Sequence, residues 1–294
     1  METRLKDYFD KRNIEIGHRL NEWIEELEAP ADLKKAMLYS INAGGKRLRP
    51  ILLFATMEAF GKAEIAGMRT AAAIEMVHTY SLIHDDLPAM DDDDLRRGKP
   101  TNHIVFGEAA AILAGDGLLT HSFAVIGEDT GLDAEKKVKL MTGLSIAAGP
   151  EGMVGGQAAD MEAEGKVLNV AELENVHRNK TGKLLAFAVE AGAIISGATA
   201  SQLDHFIQFA LHLGLAFQIR DDILDIEGDE ALIGKPVGSD EANSKNTYPG
   251  LLTLDGAKER CRTHLEKSRH HLLQTGTDTS RLEEITNFIG SRTF

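Results

Sequence analysis

Along most of the chain apolar side chains return every third or fourth position, the spacing of one face of a helix, and alternating runs of β-branched or aromatic residues are few. This pattern predicts helices over residues 51–60, 68–83, 109–126, 136–148, 170–182, 184–196, 201–225 and 254–274. The same stretches are rich in Ala, Leu, Glu and Lys, which lose little side-chain freedom in a helix, so the expected fold class is all-α. Several are apolar nearly all round, as helices buried in a large bundle are. Breakers stand at Gly44-Gly45, Pro88, Gly98-Lys99-Pro100, Gly149-Pro150, Gly155-Gly156, Gly228 and within 234–238. None forms a long linker, and no solenoid repeat is present, so one domain over residues 1–294 is expected. The longest polar connection, 228–249, is the place to expect a functional loop.

Composition narrows the class of partner. With 46 acidic and 32 basic residues the formal charge is -14, which repels nucleic acid and anionic lipid unless positive charge is concentrated locally. A nucleic-acid role is therefore not expected. The single Cys261 cannot form an internal disulfide, the opening METRLKDYFDKRN carries no apolar signal segment, and no apolar run is read as long enough to span a membrane. The expectation is a reduced, cytoplasmic protein that is not membrane-embedded.

Two acidic clusters carry the candidate chemistry. In Ser81-Leu-Ile-His-Asp85-Asp86-Leu-Pro-Ala-Met-Asp91-Asp-Asp-Asp94-Leu-Arg96-Arg97-Gly98, six aspartates fall within ten positions. Holding them together is costly unless cations lie among them. A solvated acidic loop is the bland alternative. Against it, Asp85 and Asp86 continue an apolar helix, and Arg96-Arg97 follow as anion ligands that can grip phosphate bidentately. The alternating acids and closing Glu of a calcium loop are absent, whereas magnesium takes one or two carboxylates and completes its shell with water and phosphate oxygens. The second cluster is Phe217-Gln218-Ile219-Arg220-Asp221-Asp222-Ile223-Leu224-Asp225. Gln218, Asp221, Asp222 and Asp225 stand at i, i+3, i+4 and i+7, one face of a helix, and three carboxylates on a core helix require cations or water there. A solvated helix end before Gly228 is the competing explanation.

With these residues in view, the chain resembles the trans-isoprenyl diphosphate synthase family, and within it the bacterial farnesyl diphosphate synthases, from about Ala43 onward. The motifs that carry the resemblance are Gly44-Gly45-Lys46-Arg47-Leu48-Arg49-Pro50, the run 85–98, Gly155-Gly156-Gln157, Lys180-Thr181-Gly182, the run 217–225, and Gly234-Lys235-Pro236 with Lys245 and Thr247-Tyr248-Pro249. The resemblance implies an isoprenoid synthase fold, a helical bundle around a central cavity. It also implies condensation of isopentenyl diphosphate with dimethylallyl or geranyl diphosphate to farnesyl diphosphate, with release of diphosphate. By the same resemblance Asp85, Asp86, Asp91, Asp221, Asp222 and Asp225 hold several Mg2+ ions, with Mn2+ able to substitute. Lys46, Arg49, His78 and Arg97 bind isopentenyl diphosphate. Arg96, Lys180, Thr181, Gln218, Lys235 and Lys245 bind the allylic diphosphate, and Lys180, Thr181 and Gln218 are the catalytic set.

Taken alone, His78 reads as a core histidine and Lys46 or Arg49 as a surface residue; it is the motif around them that reverses those readings. Tyr80 stands just over one helical turn before Asp85 and is the candidate plug that sets product length, with plain core packing as its alternative. Ser239 and Asn246 depart from the family pattern in the polar loop. Relatives are mostly homodimers, so a homodimer is expected. The competing readings are a geranylgeranyl diphosphate synthase, a class I terpene cyclase, and a non-catalytic synthase subunit. The isopentenyl diphosphate residues argue against a cyclase, and the two intact acidic motifs against a non-catalytic subunit.

Overall fold

In the computed structural model, residues 3–228 and 246–292 are described. They form α1 (Thr3–Glu25), α2 (Ala31–Ile41), α3 (Leu48–Ala59), α4 (Met68–Asp85), a minimal hairpin β1 (Leu95–Arg96) and β2 (Lys99–Pro100), and α5 (Asn102–Phe106). There follow α6 (Glu108–Gly127), α7 (Ala134–Ala148), α8 (Met153–Glu162), α9 (Val170–His177), a π-helical turn Arg178–Gly182, α10 (Lys183–Ser196), α11 (Ala200–Glu227), α12 (Tyr248–Gln274) and α13 (Ser280–Ser291). The fold is all-α, as the apolar period predicts.

Three differences from the periodic reading have local causes. The helix expected over 170–182 ends at His177 and continues as the π-turn. The one expected from residue 254 begins earlier, at Tyr248, and the helical pattern restarts after Thr253, whose φ of 67° interrupts the helix. Gly155-Gly156, read as a break, instead lie inside α8, where tertiary contacts offset the low helix propensity of glycine.

The chain divides into two compact units, with boundaries inside α3, between Ala63 and Glu64, and inside α7. One comprises Glu2–Ile51 and Glu64–Met141. In it α4 and α6 pack along each other, α2 and α5 lie on α6, and α1 contacts α2 and α4. Twelve α4 residues, Ile74, Met76 and Val77 among them, are buried, which is why its sequence is apolar on every side. By length and composition α6 could cross a membrane, correcting the reading that no run is long enough. One side of it packs against α2, α4 and α5 as core, while only 39% of that apolar window is buried.

The other unit comprises Leu52–Ala63 and Thr142–Phe294. Here α11 is flanked by α10 and α12, around Phe187, Phe206, Phe209, Leu213 and Tyr248. The helix ends are specified locally. Capping boxes start α9 (Asn169 with Glu172) and α11 (Thr199 with Gln202), and Thr247 caps α12 ahead of Pro249.

This unit carries a built-in acid sensitivity. At Glu174 burial acts to raise the pKa, but hydrogen bonds from His264 and Arg260 outweigh it and hold the carboxyl at about 2. Burial, with His264 second, holds His212 at about 4. A depressed carboxyl stabilises the fold above its unfolded pKa and loses that contribution as pH falls through the folded value; a depressed histidine behaves likewise, because the unfolded ring binds the extra proton. The His212 contribution is therefore lost as pH falls from 6.5 to about 4, and that of Glu174 from 4.5 to about 2. Denaturant titrations should show stability falling across both windows, with roughly 2–3 kcal/mol of the decline below pH 4.5 absent in Glu174→Gln. An unchanged pH dependence in that variant would contradict the assignment.

Candidate active site

In the first unit a cationic pocket is built around the end of α4. Arg96 and Arg97 are delivered by the hairpin, whose two central residues, Arg97 (φ 55°) and Gly98 (φ 73°), both have the positive φ that a type I′ turn needs. Arg97 lies against the Gly45 backbone so closely that a Cβ there would sit 2.5 Å from the guanidinium; Gly45, at φ 124°, also adopts a conformation closed to other residues. Arg47 is held by the carbonyls of Asn13 (2.9 Å) and Ile41 (3.2 Å). Of the four described non-glycine residues with positive φ, three (Arg47, Asp92 and Arg97) belong to this region, and strained backbone of that kind collects at functional sites.

Among the pocket's lining residues is Glu75, a buried carboxyl three residues before His78 whose Oε2 has no hydrogen-bond partner. It was not among the residues singled out from the sequence. Burial raises its pKa, and the charges of Arg47, Arg49 and Arg97 oppose that shift. Burial lowers Arg49 to about 10, with Glu75 counteracting and Arg97 reinforcing. Its Nε is buried without a hydrogen-bond partner. Burial, followed by Arg49, Arg97 and Arg96, pushes His78 well below its usual range, so at neutral pH it is an uncharged imidazole. Glu75, His78, Asp86, Arg96 and Arg97 all line this pocket, which holds about 480 Å³ of empty space partly open to solvent. Lys46 is exposed at its edge of the chain, just ahead of α3.

The aspartate run turns sharply where α4 ends. The Asp91 amide donates to the Asp85 carbonyl (2.9 Å) and the Asp92 amide to the Leu87 carbonyl (3.2 Å), so residues 85 and 91 are brought to one side of a compact turn. Asp86 is spent differently: its Oδ1 accepts from Arg96 Nε at 2.6 Å and Nη2 at 2.5 Å, which fixes the guanidinium. Among the described residues, no three His, Cys, Asp or Glu side chains converge on one point to enclose a cation by themselves. The donor set still fits magnesium, an all-oxygen ion that binds through one or two carboxylates and leaves its other positions to water and phosphate.

In the second unit Gln218, Asp221, Asp222 and Asp225 lie on α11 as spaced, but their environments differ. Asp222 and Asp225 are buried, whereas the Asp221 side chain is 40% exposed. Asp222 accepts from Gln218 Nε2 (3.3 Å) and, through its other oxygen, from the Tyr248 amide (3.0 Å), anchoring the start of α12. Thr181 Oγ1 donates to Gln218 Oε1 at 3.4 Å, so these two neutral polar groups meet. Asp221 Oδ1 accepts from Arg292 Nη2 at 2.5 Å, while the same guanidinium reaches the Phe217 carbonyl at 2.9 Å and stacks over the Phe217 ring.

Lys180 and Thr181 sit in the π-turn, where an extra residue re-aims side chains; such bulges recur at functional sites. Lys180 Nζ is paired with Asp160 Oδ2 at 2.7 Å. Asp160 and Arg292, like Glu75, were not picked out beforehand; the signal for Asp160 was its place three residues after Gln157 on α8. A Cβ on Gly156 would lie 2.1 Å from the Lys180 backbone nitrogen, so the close approach of α8 to the π-turn requires glycine. Gly156→Ala should therefore displace Lys180 and Thr181 and lower kcat by roughly 100-fold, a loss typical of catalytic groups misplaced by about 1 Å. Steady-state kinetics on a folded Gly156→Ala protein within threefold of wild type would contradict this.

Of the polar loop, Lys235, Ser239 and Lys245 lie outside the described residues. Asn246 is held to the end of α8 and beyond, donating to the Lys166 carbonyl at 2.9 Å and accepting from the Leu168 amide at 3.1 Å. Tyr80 is buried on α4, its ring edge-on to His84 with centroids 5.6 Å apart.

The chain is all-α, with a pocket lined by Arg96, Arg97, Glu75 and Asp86 at an aspartate turn and a second aspartate face on another helix. Residues 30–288 match the polyprenyl synthetase family. The chain is 57% identical over 290 residues to a farnesyl diphosphate synthase from Geobacillus stearothermophilus, covering 98% of both chains. It is 51% identical over 294 residues to a farnesyl diphosphate synthase from Bacillus subtilis, covering 99% of both. A solved FPP/GFPP synthase from Zymomonas mobilis superposes with a TM-score of 0.88 at 37% identity, covering 99% of this chain and 100% of that one. This protein belongs to the polyprenyl synthetase family.

Proposed function

We propose that this enzyme is a prenyltransferase that adds isopentenyl diphosphate to dimethylallyl and then geranyl diphosphate, giving (2E,6E)-farnesyl diphosphate and releasing diphosphate at each addition. The observation that carries the reading is the pocket lined by Arg96, Arg97 and neutral His78 at the end of α4, with the charge of Arg49 acting on His78 and Arg97. A terpene cyclase, which ionises an allylic diphosphate without a second diphosphate substrate, has no use for such a pocket. The identity to farnesyl diphosphate synthases along 98% of both chains supports the same reading.

In this mechanism Lys46, Arg49, His78 and Arg97 hold isopentenyl diphosphate, and His78 takes part as a neutral hydrogen-bonding group. Magnesium, with manganese able to substitute, would be carried by Asp85 and Asp91, with Asp221, Asp222 and Asp225 as the second carboxylate set, and would offset charge building on the departing diphosphate. Arg96, fixed by Asp86, and Lys180, fixed by Asp160, supply positive charge to the same leaving group. Lys235 and Lys245 are assigned to it as well. Thr181 and Gln218 present neutral dipoles to the allylic carbon as it becomes cationic, stabilising it without a carboxylate that would trap it. The isopentenyl double bond attacks C1, and loss of a proton, with the released diphosphate as base, gives the product five carbons longer. The substrates are small-molecule isoprenoid diphosphates, residues 1–294 are assigned to a single polyprenyl synthetase domain, and the setting is cytoplasmic.

Purified protein given labelled isopentenyl diphosphate, geranyl diphosphate and magnesium should form an EDTA-sensitive C15 product. A C20 main product would instead assign a geranylgeranyl diphosphate synthase, and a hydrocarbon formed without isopentenyl diphosphate a cyclase. Tyr80, buried one turn below Asp85, is proposed to stop the growing chain. Products of Tyr80→Ala should shift beyond those of wild type, and an unchanged product length would leave Tyr80 as core packing. Ile104 and Val105 of α5 and Ile112 and Leu113 of α6 are 52%, 45%, 41% and 58% exposed, apolar surface that a homodimer could cover.

A further inference from the structure

Between α11 and α12, away from the aspartate motifs, four imidazoles form a continuous row. His205 and His212 are two turns apart on α11, His264 and His271 two turns apart on α12, and the antiparallel helices bring them into cross-helix pairs. His212 Nδ1 and His264 Nδ1 are hydrogen-bonded at 3.1 Å, and His205 Nδ1 and His271 Nδ1 at 3.3 Å, one nitrogen of each pair being the donor. The His212 and His271 rings, stacked with centroids 5.9 Å apart, join the two pairs. At the buried end, His264 Nε2 meets Glu174 Oε1 at 3.4 Å, and that carboxylate is itself held by Arg260 Nε at 2.6 Å.

We infer that the facing histidine pairs of α11 and α12 form a binding site for a zinc-class divalent ion, with His212 and His264 as its principal ligands. Two nitrogens bound to one ion at about 2.0–2.1 Å are separated by roughly 3.0 Å at adjacent octahedral positions and 3.4 Å at tetrahedral ones, and both observed pairs fall in that range. The Glu174 contact to the second nitrogen of His264 is the outer carboxylate that commonly orients a metal-bound imidazole and raises its basicity. One Nδ1 of each pair carries the proton of that hydrogen bond, and a bound ion would displace it. His264 is 3% exposed, whereas His205, His212 and His271 are only half-buried, which leaves the row open to an ion from solvent. With no third ligand converging among the described residues, water completes the shell. Imidazole ligands select Zn2+, Ni2+ or Co2+ and not the oxygen-seeking Mg2+ assigned to the aspartates, so the site is chemically separate from the reaction's metal. His212 stands nine residues before Asp221, about 13 Å along the helix.

The test uses untagged full-length protein in saturating Mg2+, which fills the carboxylate sites. Zn2+ at about a hundredfold excess over its dissociation constant should raise the thermal midpoint by roughly 5–10 °C, and His212→Gln and His264→Gln should each lose most of that gain. No gain in wild type, or the same gain in both variants, would overturn the proposal. Should either variant fold poorly, wild-type imidazole 15N resonances decide the matter. One equivalent of Zn2+ should shift those of His212 and His264, and unmoved resonances would overturn the assignment whatever the variants do.

Discussion

Glu75→Gln should lower the thermal midpoint by roughly 10 °C, and inorganic diphosphate should restore more of the loss than it adds to wild type. Glu75 is the buried counter-charge shared by Arg47, Arg49 and Arg97. Removing one partner from a buried charge cluster leaves the others uncompensated, at a cost of about 3–5 kcal/mol. In a protein of this size each kcal/mol corresponds to about 2–4 °C. The opposing effect is that a pocket with one fewer negative charge attracts a diphosphate more strongly, so the ligand takes over the role of counter-ion and ligand-linked stabilisation grows. Stability and ligand response are thus expected to move in opposite directions. Melting curves of both proteins with and without diphosphate test this, and a midpoint within 2 °C of wild type would show that Glu75 is not what holds the arginines together.

Asp85→Asn is expected to lower kcat by roughly three orders of magnitude, as removal of a group that stabilises leaving-group charge does, while leaving the fold intact. Asp93→Asn, in the same acidic run, should change it by no more than about threefold, because Asp93 is half-exposed and touches Arg96 only at 3.5 Å. Asp86→Asn should fall between them, through the loosened Arg96 and not through a lost ligand. Equal losses at Asp85 and Asp93 would mean that the run acts through its bulk charge alone, and the distinction drawn from the turn geometry would fail.

How far this was legible beforehand depended on whether a signal was local. The i, i+3, i+4, i+7 spacing of Gln218, Asp221, Asp222 and Asp225 is fixed by helix geometry and appears in the structure as read. The helical period likewise located α4, α6, α10 and α11 to within a few residues. Legibility failed where a distant contact decided the outcome. Gly155-Gly156 reads as a stop, yet α8 runs through it because Gly156 lets the Lys180 backbone approach. The apolar length of α6 is the same for a core helix and a membrane span, and only its packing partners distinguish them.

By itself, then, the sequence determined the all-α class, the two carboxylate faces and the arginine-rich motif around Lys46 and Arg49, because each is encoded by side chains within two helical turns of one another. Only the tertiary structure decided how the carboxylates divide their work. Asp86 holds Arg96, Asp222 holds the Tyr248 amide, and Asp221 meets Arg292 from 71 residues away. It also decided that Glu75 is buried in the field of Arg47, Arg49 and Arg97, and that histidines far apart in the sequence pair across α11 and α12. The physical reason is common to these cases: burial sets the cost of a charge or an unpaired donor, and the partner that offsets it is chosen by packing between elements, which periodicity along one strand of sequence does not encode.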